Sequence, residues 1–199
     1  MEKRAPTEHE IDPLLARRWS PRAFSERTVE KTVLCSLFEA ARWAPSCFNE
    51  QPWSFLLATK EDAAEFDRLA SCLSSGNHWA RRAPVLALSV AALDFAGNSK
   101  PNRHAYHDVG LAVENLVIQA TVMGLASHQM AGFDVEKARE LFQIPARHDP
   151  VAMIALGYPG DPDSLPEDLR KRELAQRSRK PIRKFVYTGH WGEGSAIIL

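Results

Sequence analysis

The chain has 199 residues, of which 45% are apolar and 25% charged, enough for one globular domain with a sizeable core. Lysine plus arginine number 25 and aspartate plus glutamate also 25, so no overall charge draws the protein to nucleic acid or to an anionic membrane. The three cysteines, Cys35, Cys47 and Cys72, are odd in number and lack CxxC or zinc spacing, which argues against a disulfide framework and for a reducing compartment. Residues 1–12 are polar and charged, without the apolar stretch of a secretory signal. The longest apolar-rich run, 109–126, is interrupted by Glu114, Asn115 and Gln119 and is a poor membrane span. A cytoplasmic protein is expected.

Residues 11–18 read as a short helix broken by Ser20-Pro21. Thr28 suits an N-cap, and Val33, Leu37 and Ala41 then recur at helical spacing up to Pro45. Residues 54–59 form a short apolar run, predicted as a buried strand. Residues 61–73 are amphipathic, 74–77 are a loop, and 84–93 are rich enough in Val, Leu and Ala for a central strand. The longest helical pattern, 104–125, is apolar nearly all round and belongs in the core or in a subunit interface; Gly124 suits its end. A strand over 126–133, a helix over 134–142 and a core strand over 151–156 follow. After Gly160 the chain is turn-rich and charged, with too few apolar residues for a core of its own. It must lie on residues 1–160, its own or a partner's. This order permits a doubly wound sheet, but neither G-x-G-x-x-G nor G-x-x-x-x-G-K-[ST] occurs, which disfavours a Rossmann site.

Several constellations could carry chemistry. The loop from Pro45 through Ser46, Cys47, Asn49 and Gln51 to Pro52-Trp53 places hydroxyl, thiol and amide groups between two apolar elements. It reads either as a plain turn or as a site where amides match the N–H and C=O groups of a buried heterocycle. Arg18-Trp19-Ser20-Pro21-Arg22 offers two guanidinium groups and a hydroxyl in one turn, a donor set suited to phosphate. Arg177-Ser178-Arg179-Lys180 could complete it, or present a solvated basic face. Gly132, beside Ala131 at a predicted strand end, would let backbone approach a ligand. His104, His107 and Asp108 share a helix face, but no H-E-x-x-H pattern accompanies them and no metal site is assigned. No G-x-S-x-G elbow appears.

Taken together and in order, these pieces resemble the nitroreductase family of FMN-dependent oxidoreductases. They are Arg18-x-Ser20-x-Arg22, the helix ending Ala44-Pro45-Ser46, Asn49-Glu50-Gln51-Pro52-Trp53, His107-Asp108-Val109-Gly110, Ala155-Leu156-Gly157-Tyr158-Pro159, and Arg177-x-Arg179-Lys180-Pro181. The resemblance covers nearly the whole chain. It implies a single α+β domain over residues 1–199, with a central, largely antiparallel sheet flanked by helices. Residues 160–199 would form an arm packed on a homodimer that carries FMN at its interface.

The resemblance also implies roles. Arg18 and Ser20, with Arg177 and Arg179, match phosphate contacts; Trp19 stands where relatives often carry another arginine. Arg22 matches the basic residue at the flavin N1–C2=O edge. Pro45, Ser46 and Cys47 match the segment against the ring, and Asn49 and Gln51 the amides that reach it from the other subunit. Ala131 and Gly132 match the backbone near N5, with Ala131 where some relatives carry Glu. No side chain is needed as acid or base, because the flavin carries the chemistry. The expected activity is ping-pong electron transfer from NADH or NADPH to a small organic acceptor such as a nitroaromatic or quinone. A flavin-dependent dehydrogenase, dehalogenase or tailoring enzyme is the alternative within the fold. A non-catalytic flavin- or nucleic-acid-binding module using residues 170–184 is the alternative outside it.

Overall fold

In the computed structural model, residues 3–198 are described; positions 1, 2 and 199 of the expected domain lie outside the described residues. Six α-helices and four strands follow one another as α1 (Pro13–Arg17), α2 (Lys31–Arg42), β1 (Trp53–Thr59), α3 (Ala63–Ala70), β2 (Val85–Ala92), α4 (Ala105–Val122), β3 (Ala126–Met130), α5 (Val135–Leu141), β4 (His148–Gly157) and α6 (Glu167–Leu174). The sheet has the order β1-β2-β4-β3, and every neighbouring pair is antiparallel. The α+β fold is therefore as expected, and the doubly wound alternative is absent from the described residues.

β2 and β4 are the inner strands, and side-chain alternation splits the core in two. Leu86 and Leu88 of β2 join Met153 and Ala155 of β4 on one face, with Phe66, Leu69 and Trp79 packed over them. Val85 and Ala87 join Ile154 and Leu156 on the other face, beneath α2 and α4. Both faces are covered, so β2 reads as a nearly continuous apolar run, broken only by the buried Ser89, rather than an alternating one. Pro150 sits opposite Val90, where the register slips past Ser89. A residue with no N–H to donate is tolerated at such a bulge.

α4 turns Val109, Ala112, Val113, Leu116, Val117 and Ala120 into the core, and Gly124 ends it in a left-handed conformation with φ +77°. α2 starts later than expected. Lys31 is its first residue and Glu30 its N-cap, without a side-chain cap bond, so Thr28 is not the cap. The reason lies one residue on: Val29 is buried in the same core cluster as Leu34, and this N-terminal staple fixes where the helix can begin. The strand expected over 126–133 ends at Met130, because Ala131 to Phe133 turn towards α5, whose N-cap Asp134 accepts the Lys137 N–H at 2.9 Å. The root of the arm is pinned early: Gly160 N–H donates to the Ala23 carbonyl and Ser25 N–H to the Tyr158 carbonyl, both at 2.9 Å.

Candidate functional site

α1 stops at Arg17 because the chain must become extended before Pro21. The turn that follows presents Arg18, Trp19, Ser20 and Arg22. α6 ends at Leu174, and from Ala175 the chain runs extended back past α1. Arg177 and Arg179 thereby reach the N-terminal turn. All six of these sequence-predicted residues line one cavity of about 290 Å³, together with Lys3 and Arg172. Ends of the chain more than 150 residues apart thus meet at one basic pocket.

The cations are held by a few specific contacts. The Arg177 guanidinium donates through Nη1 to the carbonyls of Lys3 (2.8 Å) and Ala16 (2.7 Å), which ties the arm to α1. Arg18 Nε lies 3.9 Å from the Glu114 carboxylate. Arg22 lies over the Trp79 indole, 5.7 Å from guanidinium carbon to ring centre, and 4.0 Å from the Glu173 carboxylate. Burial pushes the Arg177 pKa down, and the neighbouring Arg18 and Arg179 push it the same way. Burial likewise lowers that of Lys3, with the Glu173 charge opposing. A crowd of mutually repelling cations around a cavity is complementary to a multiply charged anion.

Beneath this turn, Trp79 lies parallel to the Phe24 ring and meets the His128 ring at a tilt of 57°, with ring centres 6.5 and 4.6 Å away. The His128 imidazole Nδ1 is 2.9 Å from the Pro21 carbonyl. Burial pulls its pKa from 6.5 down to about 4, with Arg22 contributing in the same direction, so it is neutral at pH 7 and donates from Nδ1.

The second predicted element, the loop after α2, is built differently. Phe48, Asn49 and Gln51 all have left-handed backbone, with φ of 53°, 58° and 52°. Such residues cost on the order of 1–3 kcal/mol each unless they are Gly, and Asn is the most tolerant of the three. Three anchors hold the loop in this state. Asp108 accepts the Cys47 N–H at 2.9 Å, Ser46 Oγ accepts the Gln51 N–H at 3.0 Å, and the Glu50 carboxylate accepts the Ala96 N–H at 2.5 Å. The Gln51 amide also donates to the Asn49 carbonyl at 3.0 Å. Ser46 and part of Gln51 are thus committed to the loop itself. Pro45, the Asn49 side chain and the 90%-exposed Phe48 face outward. None of Pro45, Ser46, Cys47, Asn49 and Gln51 lines the basic pocket of its own chain.

The sequence marks Asp108 as one of three clustered metal-ligand types and as part of the His107-Asp108-Val109-Gly110 segment, with no role assigned. It is 2% exposed, and its oxygens meet Cys47 N–H and His107 Nδ1. Among the described residues no group of three His, Cys, Asp or Glu side chains is placed to hold a metal. At the end of β3, the Gly132 carbonyl accepts from Ser74 Oγ (2.8 Å) and Asn77 Nδ2 (2.9 Å). A Cβ at Gly132 would come within 2.6 Å of that Asn77 nitrogen, so the glycine makes room for a tie between two loops, and Ala131 beside it is exposed.

Sequence reasoning missed Lys3, Arg172, Trp79, His128 and Glu173. Glu173 lies in a run of charges, Glu167 to Leu174, that reads as a solvated helix, and no local pattern sets it apart. Trp79 and His128 are core-forming types in unremarkable settings, and only their convergence under Pro21 marks them. Also among the described residues, no helix is long and apolar enough to cross a membrane.

The fold agrees with that of a solved structure, and the sequence resembles those of further known proteins. The chain is 33% identical to a solved structure described as an oxidoreductase containing FMN, with a TM-score of 0.88 over 94% of this chain and 96% of that one. It is 38% identical over 136 residues to a 15.4 kDa protein of the ask 5′ region in Mycolicibacterium smegmatis, covering 67% of this chain and 90% of the relative. It is 29% identical over 174 residues, 78% of this chain and 87% of the relative, to a Stenotrophomonas maltophilia protein provisionally named an NADH dehydrogenase/NAD(P)H nitroreductase. The nitroreductase family model matches residues 15–158, which hold the whole sheet, the N-terminal arginine turn and the strained loop, and the chain belongs to that family.

Proposed function

We propose that the protein is an FMN-dependent NAD(P)H oxidoreductase that works as a homodimer. One observation carries this reading: cations from both ends of the chain, Arg18 and Arg22 with Arg177 and Arg179, surround a single cavity of about 290 Å³. Guanidinium forks and the Ser20 hydroxyl suit a phosphate monoester, which FMN presents at the end of its ribityl chain. The donor set therefore fits the group.

In this reading Arg18, Ser20, Arg177 and Arg179 hold the phosphate, Trp19 borders it, and Arg22 serves the N1–C2=O edge of the ring. The loop residues Pro45, Ser46, Cys47, Asn49 and Gln51 serve the ring from the partner, and Ala131 and Gly132 bring backbone near N5. The bound cofactor's chemistry is a two-electron relay from NADH or NADPH to a small organic acceptor such as a nitroaromatic or a quinone. The protein's part is to bind, orient and limit water, so no side-chain acid or base is assigned. Donor and acceptor use one site in turn, which gives ping-pong kinetics.

A partner subunit is supported by the large apolar side chains left exposed. Val122 ends α4 at 53% exposure, and Phe185, Trp191 and Ile197 line the arm. Burial of these side chains against a partner would remove them from water. The three free cysteines suit the cytoplasm.

The test is direct. Purified protein should carry or take up FMN, oxidise NADH or NADPH with a quinone or nitroaromatic acceptor, and give parallel double-reciprocal lines. Arg18→Ala and Arg179→Ala should each weaken FMN binding about 10- to 100-fold, the usual effect of removing one charge-assisted hydrogen bond. Protein that binds no flavin and oxidises neither nicotinamide would end the reading.

A further inference from the structure

Glu173 is 1% exposed and, among the described residues of α6, alone in being buried. The neighbouring Glu167 is exposed and pairs with Lys171 in solvent. Both carboxylate oxygens of Glu173 accept the Arg22 N–H at 2.9 Å, and Oε1 also accepts the Ala23 N–H at 3.1 Å. Arg22 Nη1 lies 4.0 Å from Oε2, and the Lys3 ammonium donates to the Glu173 carbonyl. A buried carboxylate persists only with partners of this kind. The partners lie 151 residues away in sequence, in the turn that presents the pocket's cations.

We propose that Glu173 is the positioning residue of the basic pocket. Reaching in from the arm, it fixes the Arg22–Ala23 backbone, so that arm docking and phosphate binding become one coupled event. The proposal rests on reading this pocket as the FMN phosphate site. Without an anion, Lys3, Arg18, Arg22, Arg177 and Arg179 repel one another, and Glu173 is the buried negative charge set among them. Removing it leaves two N–H groups without their acceptor and two cations without a counter-charge. The arm then detaches and carries Arg177 and Arg179 out of the pocket. A bound phosphate restores part of the lost attraction, so ligand and arm stabilise each other reciprocally.

The experiment uses full-length Glu173→Ala and Glu173→Gln proteins and two probes, FMN and riboflavin, which differ only in the phosphate. In Glu173→Ala riboflavin affinity should fall modestly, because Arg22 at the ring edge loses its fixed backbone. FMN affinity should fall about 30-fold or more, because the phosphate contacts of the arm are lost as well, so that the FMN-to-riboflavin ratio drops about tenfold. Glu173→Gln keeps one oxygen for the N–H groups but places an NH₂ where Oε2 stood, and should fall between. Trypsin should cut the flavin-free arm after Arg177 or Arg179 roughly tenfold faster than in wild type, and saturating FMN should slow it. A core variant of similarly small global cost, Ile154→Val at a fully buried position, should keep both the wild-type ratio and the intact arm. Glu173 variants that keep the wild-type ratio and trypsin resistance would overturn the proposal; if Glu173→Ala does not fold, Glu173→Gln decides. Wild-type protein that fails to prefer FMN over riboflavin would overturn the reading of the pocket itself, before any substitution is compared.

Discussion

Two buried carboxylates each hold one part of the candidate site, and they do so from opposite kinds of support. Asp108 stands in the first turn of α4, a helix sunk in the core, and grips the Cys47 N–H. Glu173 stands on α6, a helix charged on nearly every face, and grips the N–H groups of Arg22 and Ala23. A loop held by a core helix opens only when the core opens. A turn held by a peripheral helix opens at lower free energy. The contrast suits the backbone each must restrain. Three left-handed residues crowd the Cys47 loop, whereas the arginine turn has no left-handed residue. The difference teaches that the loop is preorganised, while the basic pocket depends on the arm.

The largest expected effect is acid sensitivity on the pocket side. His128 supports Pro21 from below and has its pKa drawn down from 6.5 to about 4. The unfolded chain therefore takes up a proton between these values while the folded one does not. Stability is full above pH 6.5 and is lost as pH falls towards 4, by about 3 kcal/mol in total. Urea unfolding of wild type and His128→Gln across this range should show the slope in wild type and its reduction in the variant. Equal slopes would remove His128 as the cause.

Next is the contrast between the anchors themselves. Asp108→Ala should cost about 2–3 kcal/mol in global unfolding, since it strands the part-buried Cys47 N–H and leaves a hole at a 2%-exposed position on a core helix. Glu173→Ala should cost under about 1 kcal/mol in the same transition, because its loss is mostly local opening. Equal global losses would erase the distinction.

Gly160→Ala probes the root of the arm. Its Cβ would lie 2.5 Å from the Phe24 carbonyl carbon, and backbone cannot swing away as a side chain can. A loss of about 2 kcal/mol is expected from such overpacking, read as a lower urea midpoint and faster tryptic release of the arm. The smallest effect should have the opposite sign. Phe48→Gly relieves a left-handed residue at φ 53° and should stabilise the fold by about 0.5–1 kcal/mol after the entropy of glycine is counted. Destabilisation instead would mean that the exposed Phe48 ring, 6.1 Å from Phe95 in an edge contact, holds the loop more firmly than its backbone strains it.

Much of this was legible in residue order. Helical patterning found α2, α3 and α4, and apolar-rich runs found β2 and β4, because burial of one stripe or of both faces leaves a local pattern. The arginine turn and the arm arginines could be paired through their chemistry and family resemblance. Glu173 could not be found, since a buried glutamate and a solvated one look alike in a run such as Glu-Asp-Leu-Arg-Lys-Arg-Glu-Leu. Asp108 was noticed, but as a possible ligand, because its real partner is a backbone N–H 61 positions earlier that no side-chain motif records.

The amino-acid order by itself determined where helices and strands form, which faces are apolar, and which cations are available to meet an anion, since these follow from local sterics and from side-chain chemistry. Only the tertiary structure decided that Arg22 and Arg177 share a cavity, that the Phe48–Gln51 backbone is held left-handed, and that one carboxylate anchors each part. Those outcomes depend on distances between segments far apart in the chain, and burial makes a hydrogen-bonded carboxylate stable only after the segments around it have already come together.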